Sequence, residues 1–490
     1  MIPDPFPITP IPPSRWRTID VSVTPPGSKS LTNRAVLLGA LARGTSTIRH
    51  ALLDADDARR MLDAVGALGA RVAVDEAGVL SISGVDGRWR VGDTGVRLDL
   101  GNAGTATRFL AAAALLADGP VTIDGDARMR QRPIGELAEA LRTLGAGVDW
   151  LGQPECPPVR IRPPVPTGPD GRSPTAATVE LGPTQSSQFI SALLLVGAWL
   201  PSGLTVRLTG EVTSASYVRM TLALLDRLGA QVKSTGDLSV IRVNPGPSPT
   251  RGASMASGRP RGLAAFDTTI EPDASGATYF WTAGAILPGA RVRVMGVGDT
   301  AFQGDAAYPH VLGRMGASVQ VSTGEPTAAT APLHPPSIAV RGGDRLVPVL
   351  ADMRDMPDAV MSLAIACCFA RGHSVIRGVR TLRVKESDRV AALRAELAKI
   401  GVTVSPHPAD PDTLTITPPE RGVDCSPDAP SVVFETYKDH RMAMSLALLG
   451  LRRPNVLIAD PGCVAKTYPR FWADLETLST AGAATSSPDP

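Results

Sequence analysis

Two interleaved series of glycines, recurring every 75 to 87 residues, constrain this chain more than any other feature. In the first, an apolar helix-like run ends at Gly and a β-prone run follows. Its members are Gly44 in ARGTSTIR, Gly119 in ADGPVTID, Gly203 in PSGLTVRL, Gly289 in LPGARVRV and Gly372 in ARGHSVIR, with Pro454 taking the sixth place in RRPNVLIA. In the second, amphipathic segments end in ALGARV (Gly69), TLGAGV (Gly145), RLGAQV (Gly229), RMGASV (Gly316) and KIGVTV (Gly401), with a weaker member at Gly482. Gly just past an amphipathic run is a helix C-cap signal, and the Val-rich segment beyond it reads as a strand. Gly after a helix is common in α/β proteins, but near-constant spacing kept six times by two series argues for duplication. The 490 residues then divide into six units of about 82, each with two helices and strands between them, in place of the three domains that length alone suggests.

Composition fits an α/β chain of this kind. Aromatics make up 4% of the residues, and there are 48 Gly and 45 Pro, so the core is built from Ala, Val and Leu with many turns. The net charge, 49 − 47 = +2, provides no bulk field for a nucleic acid or a membrane surface. Five cysteines in so long a chain are no disulfide framework, and no CxxC pair points to zinc. The longest apolar stretches, residues 109–117 and 189–200, fall short of the ~18 needed to span a bilayer. The amino terminus has neither the basic nor the apolar region of a secretory signal. The expectation is a reduced, cytoplasmic, globular protein. Proline-rich stretches at 154–174, 244–261 and 325–336 read as surface loops or hairpin extensions, and the last residues as a frayed tail.

The unusual residues fall at equivalent places in the repeat. The first helices of the six units open with Ser28-Lys-Ser-Leu-Thr-Asn-Arg34, Asn102-Ala-Gly-Thr-Ala-Thr-Arg108, Gln185-Ser-Ser-Gln188, Asp273-Ala-Ser-Gly276, Asp355-Met-Pro-Asp358 and Lys438-Asp-His-Arg441. The second helices open with Asp54-Ala-Asp-Asp57, Arg130-Gln-Arg-Pro133, Ser214-Ala-Ser-Tyr217, Gln303-Gly-Asp305, Lys385-Glu-Ser-Asp-Arg389 and Lys466-Thr-Tyr-Pro469. Ser, Thr, Asp and Asn there need no function, because they cap free backbone N–H groups. A cation in a first turn opposes the helix dipole at a cost of ~0.3–1 kcal/mol. Lys29, Arg34, Arg130, Arg132, Lys385, Arg389, Arg441 and Lys466 share this placement. Any one of them reads as a solvated charge; the set of eight points to a cleft that binds small, highly charged anions.

Gly27-Ser-Lys-Ser30 resembles the end of a P-loop but lacks Gly directly before Lys and the earlier Gly, so no Walker A is present. HExxH, GxSxG and acidic clusters at metal-ligand spacing are absent too. Three acid–base candidates lie among the cations: Asp358 in DMPDAV, Glu386 in RVKESDR and His440 in KDHRMAM. Taken singly, Asp358 reads equally well as an N-cap and Glu386 as a first-turn acid. Neighbouring cations keep a carboxylate ionised, which suits a base, and Lys29 is then available to share proton delivery.

The segments PPGSKSLTNRA, LGNAGTATRFL, ARMRQRPIGEL, QSSQF, DMPDA, RVKESDR, DHRMAM and CVAKTYP, in this order from residue 25 to about 470, resemble the signature segments of the EPSP synthase family. The resemblance implies an α/β (α+β) fold: a two-domain inside-out α/β barrel of six βαβαββ units, three per domain. Residues 28–271 would form the first domain and 1–27 plus 272–490 the second, with a disordered tail at 483–490. It implies transfer of the enolpyruvyl group of phosphoenolpyruvate to the 5-hydroxyl of shikimate 3-phosphate, through a tetrahedral intermediate that expels phosphate, in the route to aromatic amino acids. It also implies no metal or organic cofactor, small-molecule substrates only, no nucleic acid or membrane partner, a monomer, and domains that close on ligand.

By the same resemblance, Lys29 touches both substrates. Ser30, Arg34, Ser186, Ser187, Gln188, Ser214, Asp358, Thr381 and Lys385 hold shikimate 3-phosphate. Gly104, Arg132, Gln188, Arg389, Arg441 and Lys466 surround phosphoenolpyruvate. Asp358 takes the proton of the 5-hydroxyl and Glu386 is the second acid–base group, while Asn102, Tyr217 and His440 are neighbours. Two departures stand out: Thr381 replaces a frequent Asn, and Phe109 replaces a frequent Pro behind the phosphoenolpyruvate pocket. The sister family, UDP-N-acetylglucosamine 1-carboxyvinyltransferases, typically has Lys-Asn at Lys29-Ser30 and a reactive Cys in a first-half loop. Cys156 lies in a proline-rich stretch without that context. A non-catalytic scaffold for anionic metabolites is the rival of another class, and Asp358, Glu386 and Lys29 argue against it.

Overall fold

The computed structural model describes residues 2–164, 178–246, 262–299, 301–324, 335–407 and 410–481. Gly482, the tail and residues 165–174, 247–261 and 325–334 of the proline-rich stretches lie outside the described residues. The described residues form six small sheets: five on one plan, a parallel pair followed by two antiparallel strands, and a sixth of three strands, a parallel pair with one antiparallel strand. In the second repeat, Val96–Asp99 runs parallel to Val121–Asp124, which pairs antiparallel with Val159–Arg162, itself antiparallel to Gly147–Trp150. With the helices Gly104–Ala113 and Gly135–Thr143 between the strands, the chain order is βαβαββ. The third and fifth repeats follow the same order.

The first and fourth repeats exchange their leading strands. Asp20–Val23 precedes the first repeat in sequence but pairs with Arg291–Met295 of the fourth. Asp267–Thr269 precedes the fourth but pairs with Thr45–Arg49 of the first. In the sixth sheet, Val432–Phe434 and Val456–Ile458 are completed by the amino-terminal strand Phe6–Ile8. The chain accordingly forms two compact units, one Gly27–Ile270, the other Met1–Pro26 with Glu271–Pro490.

Each unit is built around three inner helices. In the first these are Lys29–Leu41, Gly104–Ala113 and Ser187–Val196, which pack on one another. In the second they are Ala274–Ile286, Val360–Cys368 and His440–Ala447, the middle one packing on both others. Almost every residue of these helices is buried, as an all-round apolar helix requires. Their Ala, Gly and Ser content allows the close approach that larger side chains would prevent. The apolar stretches 109–117 and 189–200 are thus core helices, and among the described residues no helix is long and apolar enough to cross a membrane.

The first five outer helices are amphipathic and end alike. After the helix Asp56–Ala67, the Gly69 N–H donates to the Gly66 carbonyl and the Ala70 N–H to Val65, the paired bonds of a Schellman cap. The same pair closes the outer helices at Gly145, Gly229, Gly316 and Gly401, all at positive φ, and the following Ala146, Ala230, Ala317 and Val402 are buried. The five described members of the second glycine series are therefore left-handed caps. Where the first series carries Pro454, Asn455 takes the positive φ.

In the 154–164 part of the first proline-rich stretch the hairpin alternative holds and the loop one does not: Val159–Arg162 pairs antiparallel with Gly147–Trp150, and Val159 and Ile161 fill the core face of a four-stranded sheet. Four residues alternating apolar and charged are a strand signal that the flanking prolines obscured.

Candidate active site

In the unit Gly27–Ile270, the inner helices begin at Lys29, Gly104 and Ser187. Lys29 is the first helical residue, and its ammonium lies 3.1 Å from the buried Asp57 carboxylate, at the start of the outer helix of the same repeat. Arg34, one turn further on, is 2% exposed. Its guanidinium donates to Thr221 Oγ1 (2.8 Å), Ser191 Oγ (3.2 Å) and the Ser30 and Tyr217 carbonyls (2.9 and 3.2 Å). It also lies 5.2 Å from the Phe109 ring centroid, so Phe109 acts as the apolar wall of this cation. All four of these acceptors are neutral, and burial lowers the pKa of Arg34 to about 10, slightly offset by Tyr217.

Arg132 is likewise buried and donates to Asn102 Oδ1 at 3.0 Å. A Cβ on Gly104 would stand 2.7–2.9 Å from that guanidinium, so the absence of a side chain at Gly104 gives Arg132 its place at the helix start. Ser186 caps the third inner helix by accepting the Gln188 N–H, and the Gln188 side-chain amide donates to Thr105 Oγ1 at 3.3 Å. Ser187 is buried in the first turn. Ser214 precedes the helix Ala215–Arg227 at φ 52, and its carbonyl receives the Tyr217 N–H. A non-glycine residue held there is strained, as residues at functional sites often are.

In the other unit, Asp358 lies in a short turn leading into the helix Val360–Cys368. Its Oδ1 accepts from Arg389 at 3.1 Å and faces the Lys385 ammonium at 3.8 Å, while Oδ2 accepts from Arg441 at 2.9 Å. Burial works against its charge, but Arg441, Lys385 and Arg389 overcome it and hold the carboxyl well below its usual range. Glu386 accepts from Arg389 at 3.0 Å through one oxygen and meets Lys466 at 3.2 Å through the other. Arg389 is 1% exposed and donates through Nε and Nη2 to both oxygens of Asp439 at 2.8 and 3.2 Å. Despite burial, Asp439, Glu386 and Asp358 raise its pKa. Asp439 caps the helix His440–Ala447, and His440 is buried with Nδ1 3.7 Å from Asp439. Thr381 lies in the turn Arg380–Val384 with a buried hydroxyl that finds no partner among the described residues.

The structure revises the dipole argument. Only Lys29, Arg389 and Arg441 of the eight stand in the first turn of an α-helix; Arg34 is a turn deeper, and Arg130, Arg132, Lys385 and Lys466 precede the α-helices that the sequence suggests they open. Arg130 turns to Asp124, bonding it at 2.9–3.0 Å, and is half exposed. Within each unit, turns and caps place most of these cations, and a helix end does not hold each one.

In the sequence, Asp57, Asp305 and Asp439 read only as cap signals. Asp439 and Asp57 are the anions that orient Arg389 and Lys29. Asp305 is buried and accepts from Ser275; burial first, then the charge of Asp358, push its pKa up to about 7. Only Asp439 carries a sequence signal, its place two residues before Arg441, and caps show the same pattern.

The family model described as EPSP synthase (3-phosphoshikimate 1-carboxyvinyltransferase) matches residues 15–475, which include every candidate site residue. The chain is 40% identical over 462 residues to a 3-phosphoshikimate 1-carboxyvinyltransferase of Laribacter hongkongensis, covering 94% of this chain and 97% of that one. It is 37% identical over 465 residues to the enzyme of the same name from Erwinia tasmaniensis, covering 94% and 96%. Among solved structures, an EPSP synthase from Acinetobacter baumannii aligns with a TM-score of 0.72 at 26% identity, covering 97% of this chain and 98% of that one. With its repeats, its two compact units and its carboxylates held among cations, the chain belongs to the EPSP synthase family.

Proposed function

We propose that the chain transfers the enolpyruvyl group of phosphoenolpyruvate to the 5-hydroxyl of shikimate 3-phosphate, with the residue roles that follow. The observation that carries them is Asp358 held ionised by Arg389, Arg441 and Lys385, beside Glu386 held by Arg389 and Lys466. Asp358 takes the proton of the 5-hydroxyl as its oxygen attacks C2 of phosphoenolpyruvate, whose methylene carbon gains a proton. A tetrahedral intermediate results. Loss of a proton from its methyl group, with cleavage of the bond to phosphate, restores the double bond in the product and releases phosphate. Glu386 and Lys29 serve as the further acid–base groups of these proton transfers.

A carboxylate held so far below its usual range is a weak base. The phosphate and carboxylate groups of the substrates draw Arg389, Arg441 and Lys385 onto themselves and so return basicity to Asp358 at the moment it is needed. Arg389, Arg441 and Lys466, with Arg132, Gln188 and Gly104, receive phosphoenolpyruvate. Ser30, Arg34, Ser186, Ser187, Gln188, Ser214, Thr381 and Lys385 receive shikimate 3-phosphate, and Lys29 contacts both. Asn102 orients Arg132, as their bond supports, while Tyr217 and His440 pack beside these groups. The roles call on no metal or organic cofactor, and we assign a cytoplasmic monomer acting on small molecules alone.

Phosphate release tests the reading. Purified protein with phosphoenolpyruvate and shikimate 3-phosphate releases phosphate, and UDP-N-acetylglucosamine in place of the shikimate acceptor releases none. The opposite pattern would move the chain to the sister activity, and silence with both would leave a binding scaffold.

A further inference from the structure

Glu396 lies on the outer helix Arg389–Ala398, two turns beyond Arg389, and is 1% exposed. Three donors converge on its carboxylate. The Tyr437 hydroxyl reaches Oε1 at 2.7 Å, while the Lys399 ammonium and the Glu435 backbone N–H reach Oε2 at 2.6 and 2.9 Å. A buried carboxylate persists only where such donors meet it.

The segment that Glu396 grips is unusual. Tyr437 and Lys438 are consecutive non-glycine residues at φ 56 and 55, a left-handed conformation that L side chains resist. Asp439 follows at once, caps the next inner helix and binds Arg389. One outer helix therefore holds this turn from both sides, Glu396 before it and Arg389 after it. The turn is where the chain leaves the strand Val432–Phe434 and delivers Asp439, His440 and Arg441.

We propose that Glu396 is a positioning residue for the transfer reaction: by pinning Glu435 and Tyr437 it holds the Tyr437-Lys438 turn left-handed and so fixes where Asp439 and Arg441 stand. The proposal rests on the reading of Arg389 and Arg441 as phosphoenolpyruvate ligands. Steady-state kinetics with phosphoenolpyruvate and shikimate 3-phosphate separate the two, since an inactive wild-type protein would remove that reading, whereas only the variants bear on Glu396.

Glu396→Ala should lower kcat/KM for phosphoenolpyruvate about 10- to 100-fold, with KM raised and kcat reduced, in protein whose circular dichroism remains native. Adding Lys438→Gly should recover part of the loss, because glycine adopts the left-handed conformation without steric cost. A role confined to stability would lower Tm and leave kcat/KM of the folded protein at the wild-type value; that result overturns the proposal. A loss that Lys438→Gly fails to relieve overturns it as well. If Glu396→Ala does not fold, Tyr437→Phe removes one of the three bonds and should reduce kcat/KM about two- to tenfold. An unchanged value for that variant sinks the idea.

Discussion

The two units share one framework but compensate these buried arginines in opposite ways. In Gly27–Ile270, Arg34 and Arg132 are buried against hydroxyls, carbonyls and an amide. In the other unit, Arg389 and Arg441 are buried against Asp358, Glu386 and Asp439. Neutral acceptors satisfy a guanidinium's donors but leave its charge uncancelled, so burial depresses the pKa of Arg34, whereas the carboxylates raise that of Arg389. The first arrangement stores positive potential for an incoming anion. The second uses positive charge to keep carboxylates ionised and aimed, at the cost of a dense ion-pair network.

If the second arrangement is the acid–base half, Asp358→Asn gives the largest effect. The amide keeps the shape but cannot accept a proton, so kcat at saturating substrates should fall about 10²- to 10⁴-fold. A loss of less than about fivefold would remove Asp358 as the base. Lys29 in the other unit comes next. Lys29→Met also strips the buried Asp57 of its ion pair, so the cleaner variant is Lys29→Met with Asp57→Asn. Turnover should drop about 10²- to 10³-fold in a protein whose Tm stays near wild type, and near-normal turnover would take Lys29 out of the mechanism.

The contrast in compensation can be broken directly by removing one arginine from each unit. Arg389→Met leaves Asp358, Glu386 and Asp439 with less positive charge and should cost about 3–5 kcal/mol in urea unfolding. Arg34→Met leaves only neutral acceptors without their donor and should cost about 1–3 kcal/mol. Equal losses would mean that the carboxylates do not set the energetics of the second unit.

Asp305 sharpens the same contrast through pH. Its pKa of about 7 in the folded chain lies above the ordinary carboxyl value near 3.9, so the folded state binds more protons between those values. Stability therefore falls as pH rises from about 4 to 7, by roughly 1.4 kcal/mol per pH unit at most for this group, and levels off above. Asp305→Asn should remove that slope from urea midpoints measured across the range. Asp358 acts in the other direction: its contribution is full above about 3.9 and is lost only as pH falls through its depressed folded value. An unchanged slope in Asp305→Asn would show that Asp305 stays ionised.

The sequence shows the framework well because the framework is local. A Schellman cap needs an amphipathic turn, a Gly and a buried residue within six positions, all visible in ALGARV or KIGVTV. The exchanged strands are not local: nothing in Asp20–Val23 says that it pairs with Arg291–Met295, far along the chain, and not with the repeat it precedes. The site divides along the same line. Residues in quoted motifs, such as Lys29, Arg132, Asp358 and Lys466, were visible. The anions that orient them were not, because Asp57, Asp305 and Asp439 occupy cap positions where Asp is expected anyway. Glu396 was invisible for another reason: in AALRAELAKI it looks like any solvent-facing Glu, and its burial depends on a turn some forty residues away.

The smallest effect tests whether the shared caps are interchangeable between the units. Gly229 and Gly316 close outer helices with the same bonds, at φ 88 and 101. A Cβ at Gly229 would meet nothing within 4 Å, so Gly229→Ala should cost only the left-handed strain, about 1–2 kcal/mol. At Gly316 the added carbon would stand 3.1 Å from the Arg345 carbonyl oxygen, a backbone atom that moves only with its chain. Gly316→Ala should therefore lose more in urea unfolding, by about 0.5–1 kcal/mol, with turnover unchanged in both variants. A larger loss at Gly229 would mean that the two caps differ in something other than the space around them, and that the equivalence of the repeats ends at their hydrogen bonds.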